Sequence, residues 1–158
     1  MGHSCGILRM VSKTFEHTVA FYEAQDGSGR PLYVPLVQVN LLTPRGSRIQ
    51  LSLLFDTGAD VTSLRADLYP LLGLTSWDEG QAINICTAGG NCVAYQYTGV
   101  IELFGKSISC PIHLIPMPLN PLVHGLLGRD TIFREFGFGF WECNNELYIT
   151  PEPQVSRS

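Results

Sequence analysis

Apolar residues along this chain fall into short runs separated by turn-forming clusters. The clearest run lies between Arg48 and Phe55, where Ile49, Leu51, Leu53 and Phe55 alternate with Gln50 and Ser52. A period of two puts one set on a buried face and the other toward solvent, as in a half-buried strand. Leu32 to Leu42 reads as its partner strand through Val34, Leu36, Val37 and Val39. The turn Thr43-Pro44-Arg45-Gly46-Ser47 between them predicts a β-hairpin.

The same reasoning predicts more hairpins downstream. Gln81 to Cys86 and Cys92 to Thr98 flank a Gly-rich tip, Thr87-Ala88-Gly89-Gly90-Asn91. Val100 to Phe104 and Ser107 to Ile115 flank Gly105-Lys106, and Val123 to Leu127 is a short apolar strand. Phe138, Phe140 and Trp141, then Glu146 to Thr150, suggest a terminal hairpin around Asn144-Asn145. Two helical pieces interrupt the strands. Residues 65–74 form one, broken by Pro70 and capped by Gly73. Thr131 to Phe136 forms the other, with Asp130 as its N-cap. The expected fold is all-β: a small closed, barrel-like sheet with one or two short helices. Residues 1–31 read as an N-terminal extension, a propeptide or a packing segment, ending in the turn cluster from Gln25 to Pro31. Residues 32–150 form the domain and residues 151–158 a tail.

Composition narrows the function. A chain of 158 residues, 45% hydrophobic and 15% charged, is one domain with a real core rather than a disordered segment. A formal net charge of −4 argues against a nucleic-acid binder or a basic membrane-surface module. Arg9, Lys13, Glu16, His17 and Glu23 break up any signal-peptide core near the N-terminus. The longest stretch without Asp, Glu, Lys or Arg, Ser107 to Gly128, holds four prolines and is a poor membrane helix. A cytoplasmic protein is expected. Five Cys at positions 5, 86, 92, 110 and 143 fit neither a disulfide framework nor a zinc site. A Cys86–Cys92 bridge across the hairpin is the one pairing left open. His113 and His124 lie in apolar stretches and read as hydrogen-bonded structural histidines.

The chemistry concentrates in Leu53-Leu54-Phe55-Asp56-Thr57-Gly58-Ala59-Asp60. An apolar strand delivers a carboxylate into a tight turn, where its surroundings set its acidity. Gly58 permits a backbone approach that a side chain would block. Alone, Asp56-Thr57-Gly58 also reads as an ordinary turn. A second segment, His124-Gly125-Leu126-Leu127-Gly128-Arg129-Asp130, follows further along the chain.

Together these segments resemble the retropepsins, the retroviral-type aspartic proteases. That family carries hydrophobic-hydrophobic-Asp-Thr-Gly-Ala, then a glycine-rich flap, then hydrophobic-hydrophobic-Gly before a short helix. The resemblance covers about residues 32 to 150, with the flap at Cys86 to Cys92. It implies that Asp56 is the catalytic carboxylate, with Thr57 interlocking two active-site loops and Gly58 beside the substrate backbone. It implies substrate contacts for Ala59, Asp60, Gly89 and Gly90, and structural roles for Gly128 and for Arg129, which pairs with Asp60. Retroviral relatives also carry an Arg near the N-terminal strand; Leu36-Val37-Gln38-Val39-Asn40 has none.

One count sets the expected assembly. Aspartic proteases need two carboxylates sharing a proton, and this chain has one Asp-Thr-Gly. The resemblance therefore implies a homodimer with one Asp56 from each protomer. It implies an endopeptidase that takes an extended peptide or protein and needs no cofactor and no metal. The alternative is a catalytically weak or inactive dimeric module that binds peptides or serves as a scaffold.

Overall fold

The computed structural model describes residues 15–87, 89–118, 121–130 and 132–151. Among the described residues, twelve strands carry the fold. In chain order they are β1 (His17–Ala20), β2 (Tyr22–Gln25), β3 (Pro31–Val34), β4 (Leu36–Leu42), β5 (Arg48–Phe55), β6 (Thr62–Arg65), β7 (Gln81–Thr87), β8 (Gly90–Leu103), β9 (Lys106–Ile115), β10 (Gly125–Leu127), β11 (Phe136–Trp141) and β12 (Glu146–Pro151). One short helix, α1 (Ile132–Glu135), and 3-10 turns at Ala66–Leu72 and Glu142–Asn144 complete the described elements.

Seven strands form one sheet in the order β4-β5-β10-β6-β9-β8-β7, and pairing of β4 with β8 closes it into a barrel. The closed all-β fold expected from the sequence is the observed one. Its interior is filled by the inward-facing residues of successive strands: Val37, Val39 and Leu41, then Leu51, Leu53 and Phe55, then Ile108, Cys110, Ile112 and Leu114. A second sheet, β1-β12-β11, packs through Leu147 and Ile149 onto the same core. Residues 17–20 are thus paired with Glu146–Ile149, and Phe21 is buried.

Local expectations held where turns are local. The β4–β5 hairpin closes with the Thr43 N–H donating to the Ser47 carbonyl at 2.9 Å. Four departures have clear causes. The strand expected from Leu32 to Leu42 is split at Pro35, which has no N–H to give the ladder. The strands expected at 92–98 and 100–104 are one, because Gly99 runs straight through. A Cβ there would lie 2.4 Å from Ile112 Cδ1, so Gly99 serves close packing rather than a turn. Pro70 lies inside the 3-10 segment rather than breaking it; its carbonyl accepts the Gly73 N–H at 3.0 Å, and Gly73 caps with φ 77°. Asp130 was expected to cap α1 with its side chain. Instead its backbone carbonyl accepts the Ile132 N–H at 2.7 Å, while its carboxylate lies 3.7 Å from Arg134.

Candidate active site

The site is built where β10 is inserted between β5 and β6. It pairs parallel with β5, Leu126 beside Leu54 and Leu127 beside Phe55, and antiparallel with β6. The insertion is tight. A Cβ on Gly125 would lie 2.0 Å from the Ser63 carbonyl oxygen, and one on Gly128 2.3 Å from the Val61 carbonyl carbon. Only glycine lets the backbones approach this closely.

Asp56 follows β5 directly and is half-buried. Its backbone N–H donates to the Leu127 carbonyl at 3.2 Å, so the end of β10 seats it. Its Oδ1 accepts the Gly58 N–H at 2.8 Å, which turns the carboxylate back over its own loop. Beneath it, Phe55 stacks on Phe133 at 4.6 Å and meets Phe138 edge-on at 5.1 Å. This rigid aromatic base limits movement of the strand end. Thr57 and Gly58 face solvent.

The loop beyond is tied to the second motif. The Arg129 N–H donates to the Ala59 carbonyl at 2.9 Å and the Asp130 N–H to the Asp60 carbonyl at 2.6 Å. The Asp60 and Arg129 side chains approach to 3.7 Å, both largely exposed, so that ion pair contributes little to stability. The structure therefore brings together Asp56, Thr57, Gly58, Ala59, Asp60, Gly128 and Arg129.

Gly89 and Gly90 sit apart at the tip of the β7–β8 hairpin. The Gly89 N–H donates to Thr87 Oγ1 at 3.2 Å, and that hydroxyl donates to the Gly90 carbonyl at 2.8 Å. Ala88 lies outside the described residues. The Cys86–Cys92 bridge does not form: both thiols are free. The register pairs Cys86 with Asn91 and Ile85 with Cys92, which puts the two sulfurs on opposite faces of the ribbon.

Sequence reasoning missed two contributors, Thr62 and Ser52, and read a third, His124, as a hydrogen-bonded structural histidine, which it is. Thr62 is buried, and its hydroxyl accepts the Gly128 N–H at 3.1 Å. Ser52 and His124 bond each other across β5 and the entry to β10. The signals were two hydroxyls between Val61 and Leu64 and a histidine just before Gly125. His113, 7% exposed on β9, contacts Gln96 Oε1 at 3.2 Å, and burial pushes its imidazole below the usual histidine range.

Two hollows flank the site, of about 500 Å³ around Asp60, Arg129 and Phe133 and about 560 Å³ among Phe21, Glu23, Leu36, Gln38, Ser52 and Leu122. Asp56 lines neither. Among the described residues no group of three or more His, Cys, Asp or Glu is placed to hold a metal ion, and no helix is long and apolar enough to cross a membrane.

No family model matches the chain, and no curated protein matches it. Solved structures do. EIAV protease in complex with an inhibitor is 24% identical, covering 64% of this chain and 86% of that one, with a TM-score of 0.48. Simian foamy virus protease is 17% identical, covering 61% and 90%, with a TM-score of 0.41. A retropepsin-like aspartic protease from Rickettsia conorii is 19% identical, with a TM-score of 0.55. That match spans 89% of this chain and 97% of the other. With a barrel closed by β4 and β8 and a strand inserted beside Asp56, the chain has the retropepsin-like fold.

Proposed function

We propose that this chain is an aspartic endopeptidase, active as a homodimer. One observation carries the reading. Asp56 is seated between the ends of β5 and β10 while Thr57 and Gly58, which follow it, face solvent. A single carboxylate so placed is half of an acid–base pair, and a second copy supplies the other half.

In the dimer the two Asp56 carboxylates share one proton and hold a water between them. The ionised carboxylate takes a proton from that water as its oxygen attacks the scissile carbonyl carbon. The protonated one gives its proton to the carbonyl oxygen. The tetrahedral intermediate collapses with cleavage of the C–N bond, and the leaving nitrogen takes up a proton. The substrate lies extended, bound through its main chain by Gly58, Ala59 and Asp60 on one side and by Gly89 and Gly90 on the other. The hairpin tips open to admit it. Residues 32–150 constitute the protease domain, with residues 1–31 as its extension.

The test is digestion of a mixed peptide library by wild type and by Asp56→Asn, with size measured in the same samples. Cleavage by wild type that disappears in Asp56→Asn supports the reading. A stable dimer that cleaves nothing would favour a peptide-binding module. Because the pair forms by association, specific activity is expected to fall on dilution.

A further inference from the structure

The β7–β8 hairpin leaves the barrel at a definable point. β9 accompanies β8 as far as Tyr95, which pairs with Leu114. From Ala94 to Gly90 the described residues of β8 pair only with β7. Among the described residues β7 has no strand on its other edge. The ribbon is therefore fixed to the barrel only at its root. On the β8 side the root is held by the β9 ladder and by the Gln96 side chain against His113. On the β7 side the hold must come from side chains.

They converge on Tyr97. Its hydroxyl donates to the Trp77 carbonyl at 2.7 Å and accepts the Gly80 N–H at 2.6 Å. One oxygen thus grips both ends of a turn that runs into Gln81, the first residue of β7. The approach to that turn is tied to itself: Glu79 Oε1 accepts the Thr75 and Ser76 N–H groups at 2.8 and 2.6 Å. Gly80 lies flush on β8, where a Cβ would fall 2.6 Å from both the Gln96 carbonyl oxygen and Tyr97 Cζ. The Trp77 ring meets Tyr95 edge-on at 5.0 Å. Tyr97 packs against the barrel core and pairs with Ile112 of β9, so its hydroxyl is carried by the fixed part of β8.

We propose that Tyr97 is a positioning residue that pins the entering strand of the β7–β8 hairpin to the barrel, so that the hairpin swings from a fixed root and closes over substrate in one place. The effect on cleavage rests on the protease reading; the pin does not.

A hairpin with a fixed root has few alternatives to its closed position. Without the pin the entering strand gains freedom that binding must remove, and that cost falls on substrate capture. Once substrate is held, the reacting groups at Asp56 are unchanged, so turnover is spared. Tyr97→Phe isolates the hydroxyl. It keeps the ring against Gly80, and Trp77 keeps its contact with Tyr95, while the Gly80 N–H and the Trp77 carbonyl lose their shared partner.

The experiment compares amide exchange along the whole chain, peptide cleavage and thermal melts in wild type and Tyr97→Phe. In the variant the β7 amides from Gln81 to Thr87 should exchange about tenfold faster, while those of β9 keep their wild-type rates. KM for a cleaved peptide should rise about fivefold, with kcat within about twofold. Gly80→Ala, which forces the same turn off β8 with the hydroxyl intact, should show the same split. Unchanged exchange along β7 in Tyr97→Phe would overturn the proposal. So would faster exchange spread evenly over β7 and β9, the mark of general destabilisation, or a loss of kcat with KM unchanged. Cleavage absent from both proteins, with exchange behaving as stated, would leave the pin standing and sink the protease reading.

Discussion

Two turns rich in glycine and threonine are held in opposite ways. At the β5–β10–β6 crossing, Gly125 and Gly128 are pressed against the backbone of β6 and its approach, and Thr62 is buried beneath them. At the β7–β8 tip, Gly90 has nothing within 4 Å of a would-be Cβ, and the hydrogen bonds of the tip close within Thr87 to Gly90. The first turn is determined by its neighbours from distant sequence; the second is determined by itself. The proposed protease calls for this division, with a rigid seat for the carboxylate and a hairpin tip free to move.

Substitutions should expose that division as a gradient. Gly128→Ala and Gly125→Ala should be the most damaging, because the atoms they strike are backbone and cannot rotate away. Each is expected to cost about 3 kcal/mol or more, or to prevent folding, as urea unfolding would report. Thr62→Val keeps the shape but leaves the Gly128 N–H without its acceptor, for about 1–3 kcal/mol in the same assay. Gly90→Ala meets open space but must hold φ 111°. It should cost about 1 kcal/mol and leave the crossing intact.

Acid sensitivity should come next. His113 lies on β9 opposite Ser63 of the crossing, and burial lowers its pKa from the ordinary 6.5. Between the native and unfolded values the unfolded chain binds more protons, so stability should decline as pH drops below about 6.5 and level off once native His113 is also charged. His113→Gln should flatten that slope in thermal melts taken across pH. Least of all, Gly89→Ala, whose Cβ would reach only Thr87 Oγ1 at 3.7 Å, should stay within about 0.5 kcal/mol of wild type. A Gly89 variant as damaging as Gly128→Ala would erase the distinction.

What could be read in advance follows the same line. Hairpins joined by a local turn, such as β4–β5 and β11–β12, announce themselves through alternation and turn residues. The insertion of β10 does not, because its partners are Leu53 to Phe55 and Ser63 to Leu64, far off in sequence. Nor does the β1–β12 pairing, which joins the two ends of the described chain. Asp56 to Asp60, Gly128 and Arg129 stood out as motif residues. Thr62 and Ser52 did not, because a hydroxyl's role depends on which backbone passes above it. Pro70 and Gly99 misled for a related reason: a residue that often ends an element can also be carried through one when packing requires it.

The insertion of β10 has a consequence for synthesis. Ser52 and His124 are 72 residues apart, so a chain leaving the ribosome displays Asp56 well before the segment that seats it has been made. β5 and β6 must wait with a gap between them, since pairing with each other would shut β10 out. Closing so long a loop costs entropy before any contact rewards it, and such pairings form late. Whatever chemistry Asp56 performs therefore begins only after β10 has been made, and a product truncated before Gly125 carries the carboxylate without its seat.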